Sequence, residues 1–266
     1  MNAWAALQDY LGGQRILAVW ILLFVASGIA LGIYRGFFAA RRIQPNRFRW
    51  EIFRKEIFFA IVSITISATV LSFLTKQLWD HGFITTNKEP TTWWVIAFEF
   101  TLSFFLFDTY FYWFHRWMHK KPMYEWIHKI HHYSTSPNLL TTLSVNPLES
   151  FINGGFVPLF LSIYTVHDQT LALITPCNIV MGLYVHSGHE FLPRWWNKTW
   201  ATKWFITTTF HDQHHKYFNY NFGGYTTIWD RICGTMRVKY ETDFDQLKAR
   251  LDKPVAPAIA NATPES

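Results

Sequence analysis

Ten of the 12 histidines in this 266-residue chain fall into four short clusters. His115 and His119 stand four residues apart. His128, His131 and His132 have i, i+3, i+4 spacing, His186 and His189 stand three apart, and His211, His214 and His215 repeat the i, i+3, i+4 form. On a helix, residues three and four apart share a face, so each cluster points two or three imidazoles in one direction. Neutral imidazole suits Fe, Zn, Cu and Ni. A single zinc takes only three or four ligands, so ten rings are too many for one ion and match two ions with four to five nitrogens each. Soluble di-iron bundles use a pair of Glu-x-x-His boxes with further Glu ligands instead, and this sequence does not carry that pair. Without a metal, ten rings packed together would be costly to desolvate and would repel one another once protonated. The lone His81 and His167 read as interfacial or core residues.

Two acids have the spacing to support the rings. Asp108 lies seven residues before His115 and Glu125 lies three before His128. Each reads either as an acceptor for the free ring N–H of a ligand or as a buried carboxylate bonded to Tyr or Trp.

The elements that must hold these rings are strongly apolar. Half the residues are hydrophobic, 19% are aromatic and only 16% are charged, against roughly 25% charged in an ordinary soluble domain. That is more apolar surface than a soluble core of this size can hide. Three stretches, Ile16–Ile33, Ile57–Leu74 and Trp93–Phe114, approach the ≈ 20 residues that cross a bilayer. The first has no basic start and no small-residue cleavage site before Arg35, so it is expected as a retained helix rather than a signal peptide. Glu99 and Asp108 in the third are predicted to face other helices. Phe151–Val185, interrupted by Pro158, His167-Asp168 and Pro176, is predicted to form a helical hairpin.

The loop bounded by Arg35 and Lys55 also holds Arg41, Arg42, Arg47, Arg49 and Arg54, whereas Lys76–Pro90 holds only Lys76 and Lys88. The positive-inside rule therefore places the first loop in the cytosol, and every histidine cluster then falls on the cytosolic face. On this reading the net charge of +6 sets topology and does not bind nucleic acid. Cys177 and Cys233 form no motif. The expected architecture is all-α: an integral membrane helical bundle of about three spanning helices plus a helical hairpin, with a cytosolic histidine-rich helical cap. It divides into an N-terminal transmembrane region (1–92), a catalytic region (93–240) and a flexible C-terminal tail (241–266). The short tail and the lack of a Lys-rich retrieval signal favour a bacterial inner membrane over endoplasmic reticulum.

The boxes, in order, resemble the fatty acid hydroxylase/sterol desaturase superfamily, from about Asp108 to Arg237. The C-terminal run His211-Asp-Gln-His214-His215-Lys-Tyr-Phe-Asn-Tyr-Asn-Phe-Gly, followed by Thr227-Ile-Trp-Asp-Arg231 and Gly234-Thr235, looks most like sterol C5-desaturases. His186-Ser-Gly-His189-Glu departs from their middle segment, which leaves substrate and subfamily open. The resemblance implies metal ligation by His115, His119, His128, His131, His132, His186, His189, His211, His214 and His215. It also implies two non-haem Fe ions, with Zn as a substitute in purified protein, and O2 as oxidant. The expected activity is desaturation or hydroxylation of a lipid C–H bond, with a sterol-like substrate. A carotenoid, fatty-acyl or alkyl-lipid hydroxylase is the alternative within the family. No His-Pro-Gly-Gly segment is present, so a separate reductase of ferredoxin or cytochrome b5 type is expected to supply electrons. Trp113, Trp117 and Trp126 read either as interface anchors or as guides for a lipid entering from the bilayer. Two other classes compete. A zinc hydrolase would be expected to carry an H-E-x-x-H helix, which is missing, and a divalent-metal transporter would place its histidines at the bilayer midplane.

Overall fold

A computed structural model of the chain describes residues 22, 25–30, 33, 35–44 and 49–252. Most of the expected first spanning segment (16–33) and of the expected tail (241–266) from residue 253 onward lies outside them, as does Arg47. The fold is helical. Its helices are α1 (Arg35–Ala39), α2 (Trp50–Asp80), α3 (Trp93–Met118), α4 (Pro147–Gly154), α5 (Phe156–Ile163), α6 (Asp168–Val185), α7 (Thr208–Tyr217), α8 (Ile228–Ile232) and α9 (Tyr240–Leu251). Two short strands, β1 (Thr86–Asn87) and β2 (Val166–His167), pair in parallel with Thr86 opposite Val166.

Two described helices, α2 with 31 residues and α3 with 26, are long and apolar enough to cross a membrane. At 1.5 Å per residue they measure roughly 46 and 39 Å, so each outruns a ≈ 30 Å hydrocarbon core. Their polarity is inverted relative to a soluble helix. Phe58, Ile61 and Phe73 of α2 and Trp93, Trp94 and Phe98 of α3 are exposed. The buried positions of α2 are Glu56, Ala60, Ser63 and Ser67, a stripe at helical spacing. In the most apolar window of each helix only 17% of the residues are buried. A core helix of a soluble protein would show the reverse, so the apolar faces are made for lipid. The expectation that Glu99 and Asp108 face inward holds, since both are buried. Glu99 accepts from Thr170 Oγ1 at 2.6 Å and its Oε1 lies 2.8 Å from His167 Nδ1, which makes His167 a core histidine as expected.

α2 packs along α4, and α3 along α6. Gly154 allows the first contact, because a Cβ there would sit 2.6 Å from Leu71 Cδ2. Between the helices lies an apolar core of Ile84, Phe156, Phe160, Leu161, Val166 and Ile174, with Phe100 and Phe107 of α3 packed on it.

Two expectations need correction. Pro158 and Pro176 do not interrupt the apolar region. Pro158 is the third residue of α5, where its missing N–H has no intrahelical partner to lose, and Pro176 is accommodated inside α6. The breaks fall at Gly155 and, as expected around His167-Asp168, at the β2 strand. Residues 241–251 of the expected flexible tail are helical, because α9 runs to Leu251 and buries Tyr240, Phe244 and Leu247 at i, i+4, i+7 spacing. Tyr240 meets the Phe210 ring at 5.2 Å and Thr207 Oγ1 at 3.2 Å, which ties α9 to the start of α7.

Candidate metal centre

Five structural pieces bring histidines to one place. The C-terminal end of α3 carries His115 and His119, a π turn (Tyr124–His128) carries His128, and a 3-10 turn (His131–Tyr133) carries His131 and His132. His186 caps the end of α6, and α7 carries His211, His214 and His215. Their rings sort into two groups. His115, His119, His128, His132 and His214 form one, and His131, His186, His211 and His215 form the other. Within each group the facing ring nitrogens lie within 4.8 Å of one another.

The sorting explains the i, i+3, i+4 spacing. In both boxes the outer histidines join one group and the i+3 histidine joins the other: His128 and His132 against His131, His211 and His215 against His214. Positions i and i+4 differ by about 40° around a helix, whereas i+3 lies about 60° to the other side. One short box can thereby serve two ions.

The facing atoms are Nε2 throughout. Those of His115 and His128 approach to 3.0 Å, His132 and His214 to 3.1 Å, His186 and His211 to 2.9 Å, and His131 and His186 to 3.2 Å. Nδ1–H groups point outward to backbone carbonyls. His115 donates to Phe222 O at 2.8 Å, His186 to Gly182 O at 2.8 Å, His214 to Tyr220 O at 2.7 Å and His215 to Ser134 O at 2.9 Å. A hydrogen on Nδ1 leaves the Nε2 lone pair free and aimed inward. Burial holds His128, His131, His132, His211, His214 and His215 well below the usual imidazole value, and the neighbouring rings push the same way. Buried, neutral imidazoles with converging lone pairs repel unless a cation sits among them, so the donor set fits two metal ions.

Of the two readings given for each acid, Asp108 follows that of a buried carboxylate and Glu125 follows neither. Neither Asp108 nor Glu125 accepts from a ligand ring. Glu125 pairs with Lys129 at 2.6 Å on the surface. Asp108 accepts from Tyr225 N at 2.8 Å, Thr226 N at 2.9 Å and Thr226 Oγ1 at 2.5 Å. Asp230 holds the other end of the same loop, accepting from Phe222 N at 2.9 Å and Gly223 N at 2.7 Å. Two buried carboxylates thus fix residues 222–226, and the carbonyl of Phe222 then fixes His115. Gly223 is needed there, because a Cβ would fall 2.1 Å from Thr226 O. Glu56 of α2 repeats the device. It accepts from Ser134 Oγ at 2.5 Å and Thr141 Oγ1 at 2.7 Å, and the Ser134 carbonyl orients His215. Glu190 accepts from Thr209 N at 2.9 Å and Thr209 Oγ1 at 2.6 Å, which anchors the first turn of α7.

Glu149 is the acid beside a ligand. Its Oε1 lies 2.9 Å from His128 Nδ1, a close approach whose angle falls short of a hydrogen bond. Its signal in the sequence was faint, a single acid in the apolar run after Pro147. His189 stays outside both groups. Gly188 at φ +71° turns the chain, and the His189 ring packs on Phe38 and Phe191 with Nδ1 2.5 Å from Ser187 O.

An apolar groove of about 390 Å3 opens between α3 and α6, lined by Trp93, Ile96, Ala97, Phe100, Leu173 and Cys177. A smaller cavity shares Phe100 and Cys177 with it and reaches Phe107, Asn178 and Tyr225. Phe107 meets Phe111 at 5.9 Å, and Phe111 meets His115 at 4.9 Å. The Tyr225 hydroxyl donates to Asn178 Oδ1 in this apolar setting. Trp113, Trp117 and Trp126 are exposed and do not line the groove.

The family model described as fatty acid hydroxylase matches residues 100–235, which include all ten clustered histidines. Cholesterol 25-hydroxylase of Homo sapiens is 35% identical over 139 residues, covering 50% of this chain and 48% of that protein. C-4 methylsterol oxidase of Schizosaccharomyces pombe is 27% identical over 228 residues, covering 80% and 71%. Delta(7)-sterol 5(6)-desaturase of Gibberella zeae is 26% identical over 234 residues, covering 86% and 64%. The aligned part thus spans about half the length of the human relative. No solved structure matches the chain at a significant level.

Proposed function

We infer the activity from one premise: the chain belongs to the fatty acid hydroxylase family. It is a membrane-bound oxidoreductase that hydroxylates or desaturates a C–H bond of a lipid with O2, with a sterol-like molecule as substrate and two irons as cofactor. The observation that carries this reading is the convergence of buried Nε2 atoms in groups of five and four. All-imidazole sites accept Fe, Zn, Cu or Ni, but zinc has no redox chemistry, and the relatives are named for oxidations. That combination supports a redox metal, and the resemblance of the boxes supports iron.

His115, His119, His128, His132 and His214 would hold one ion and His131, His186, His211 and His215 the other. When bound, the pair would supply the activation of O2 for attack on an unactivated C–H bond. The remaining work belongs to the chain. Backbone carbonyls of Phe222, Gly182, Tyr220 and Ser134 keep the rings in one tautomer. Tyr112, Phe210 and Phe222, all buried, exclude water. The groove between α3 and α6 is where a lipid would leave the bilayer, with the Tyr225–Asn178 pair available to a substrate hydroxyl. The clusters and their cation-rich flank face the cytosol on this reading.

Metal content of the full chain, purified in detergent from iron-supplemented cells, is the direct test. About two irons per chain, lost on His131→Ala with His214→Ala, and O2-dependent conversion of a sterol with a reductase system, are the expected results. Reproducible zinc without iron under those conditions would sink the oxidase reading.

A further inference from the structure

The proposed reaction consumes electrons, and the five-histidine group comes nearest the surface at one ligand. Among the nine converging rings His119 alone is only partly buried. It packs on Tyr124 at 5.7 Å, Tyr124 faces Phe218 at 6.3 Å, and Phe218 meets His132 at 4.9 Å. Tyr124 and Phe218 are themselves half-buried, so the group is covered at His119 by a plug of partly exposed aromatic rings.

Lysines stand on both sides of that plug. Lys120 and Lys121 follow His119 directly, and Tyr124 N donates to Lys120 O at 3.0 Å. Lys216 lies two residues before Phe218 and sits 5.2 Å above the Tyr217 ring. All three are exposed, and none is in an ion pair among the described residues. Nearby charges cancel one another: Lys129 pairs with Glu125, Arg237 with Asp243 and Arg231 with Glu241. Lys120 and Lys121 thus carry positive charge with no ion-pair partner among the described residues, and Lys216 faces the buried Asp212 one turn back, so the plug is flanked by net positive charge that steers an acidic partner to it. Anionic lipid headgroups are the competing attractor. What favours a protein is that the three cations stand beside the partly exposed ligand His119 and its aromatic cover, where a donor has to come close.

We propose that Lys120, Lys121 and Lys216 form the docking surface for an acidic one-electron carrier protein, which delivers electrons at the Tyr124–Phe218 plug beside His119. The proposal rests on the oxidase reading above. Hydroxylation of R–H takes O2, two electrons and two protons and gives R–OH and one water. Desaturation takes the same two electrons and two protons, removes two hydrogens from the substrate, and gives an alkene and two waters. In either case two reduced carriers are oxidised per turnover, one after the other, at this surface.

The test uses the full chain in nanodiscs of neutral lipid, with an acidic [2Fe–2S] ferredoxin and an acidic cytochrome b5 domain as probes. Binding to at least one carrier should weaken steeply with salt. The triple variant K120E/K121E/K216E should lose about tenfold or more in affinity and flatten the salt dependence, whereas Lys88→Glu, on the loop between α2 and α3, should bind as the parent chain does. Equal binding by parent and triple variant overturns the proposal, as does failure of the parent to bind either carrier at low salt. So does a variant that changes only partitioning onto anionic vesicles. Iron content, measured on the same samples, separates the two readings: carrier binding by a chain that takes up no iron would support the surface and defeat the oxidase.

Discussion

In each H-x-x-H-H box the outer pair of rings turns to one group and the middle ring to the other, so a single alanine should empty one site and leave its neighbour filled. His211→Ala is expected to lower metal from about two ions per chain to about one, and His214→Ala to remove the other ion. Mass spectrometry of the purified variants checks both, and loss of two ions from either single change would mean that the groups fill only together. His189→Ala is expected to keep both ions, because that ring packs on Phe38 and Phe191 outside either group. The box spacing made the ligand types legible, since shared helical faces follow from sequence separation. The division between ions was not legible, because spacing does not say where a second element will stand. For His189 the warning was local: Gly188 takes φ +71°, a left-handed turn that ends the run begun by α6.

At the scale of elements, the rings are set by loops, and the loops are set by acids from distant helices. Asp108 and Asp230 clamp residues 222–226 from two sides, and Phe222 passes that constraint to His115. Asp230→Ala would leave the buried N–H groups of Phe222 and Gly223 without acceptors, at a cost of roughly 2–5 kcal/mol in stability. Because the change loosens Phe222, whose carbonyl holds the His115 ring, metal affinity should also fall by about tenfold or more. A competition titration with a chelator, beside a thermal unfolding curve, checks the two effects; unchanged affinity in a destabilised variant would confine Asp230 to folding. Asp108 and Glu99 could be marked from sequence as acids in an apolar helix that must face inward, whereas Glu56, just before the second apolar stretch, was not. Their partners could not, since Asp108 meets Tyr225 and Thr226 more than a hundred residues away. The same limit hid the groove. Phe100 and Cys177 meet only because α3 lies along α6. Leu173→Trp should fill this groove and raise KM for a lipid substrate more than it lowers kcat, with metal content unchanged; a pure loss of kcat would place substrate entry elsewhere.

The whole molecule stores a pH dependence in its buried rings. In an unfolded chain the histidines titrate near 6.5, whereas burial holds His131, His132, His211, His214 and His215 well below that in the fold. As pH falls through about 6.5 the unfolded chain therefore takes up protons that the folded chain refuses, and stability declines with it. Protons also compete with metal for the same Nε2 atoms, so metal retention falls in the same direction. Buried acids oppose this. Asp212 is pushed up to about 7 and Asp230 to about 6 by burial, so in the fold they gain protons on acidification before the unfolded chain does, which stabilises. The histidines outnumber them and alone lose a metal, so they should decide the sign. The unfolding temperature in detergent and the iron retained after dialysis are expected to be level above about pH 7 and to fall together between about pH 6.5 and 5. If the unfolding temperature rose on acidification while iron was lost, the acids would dominate the fold and the histidines would govern only the metal.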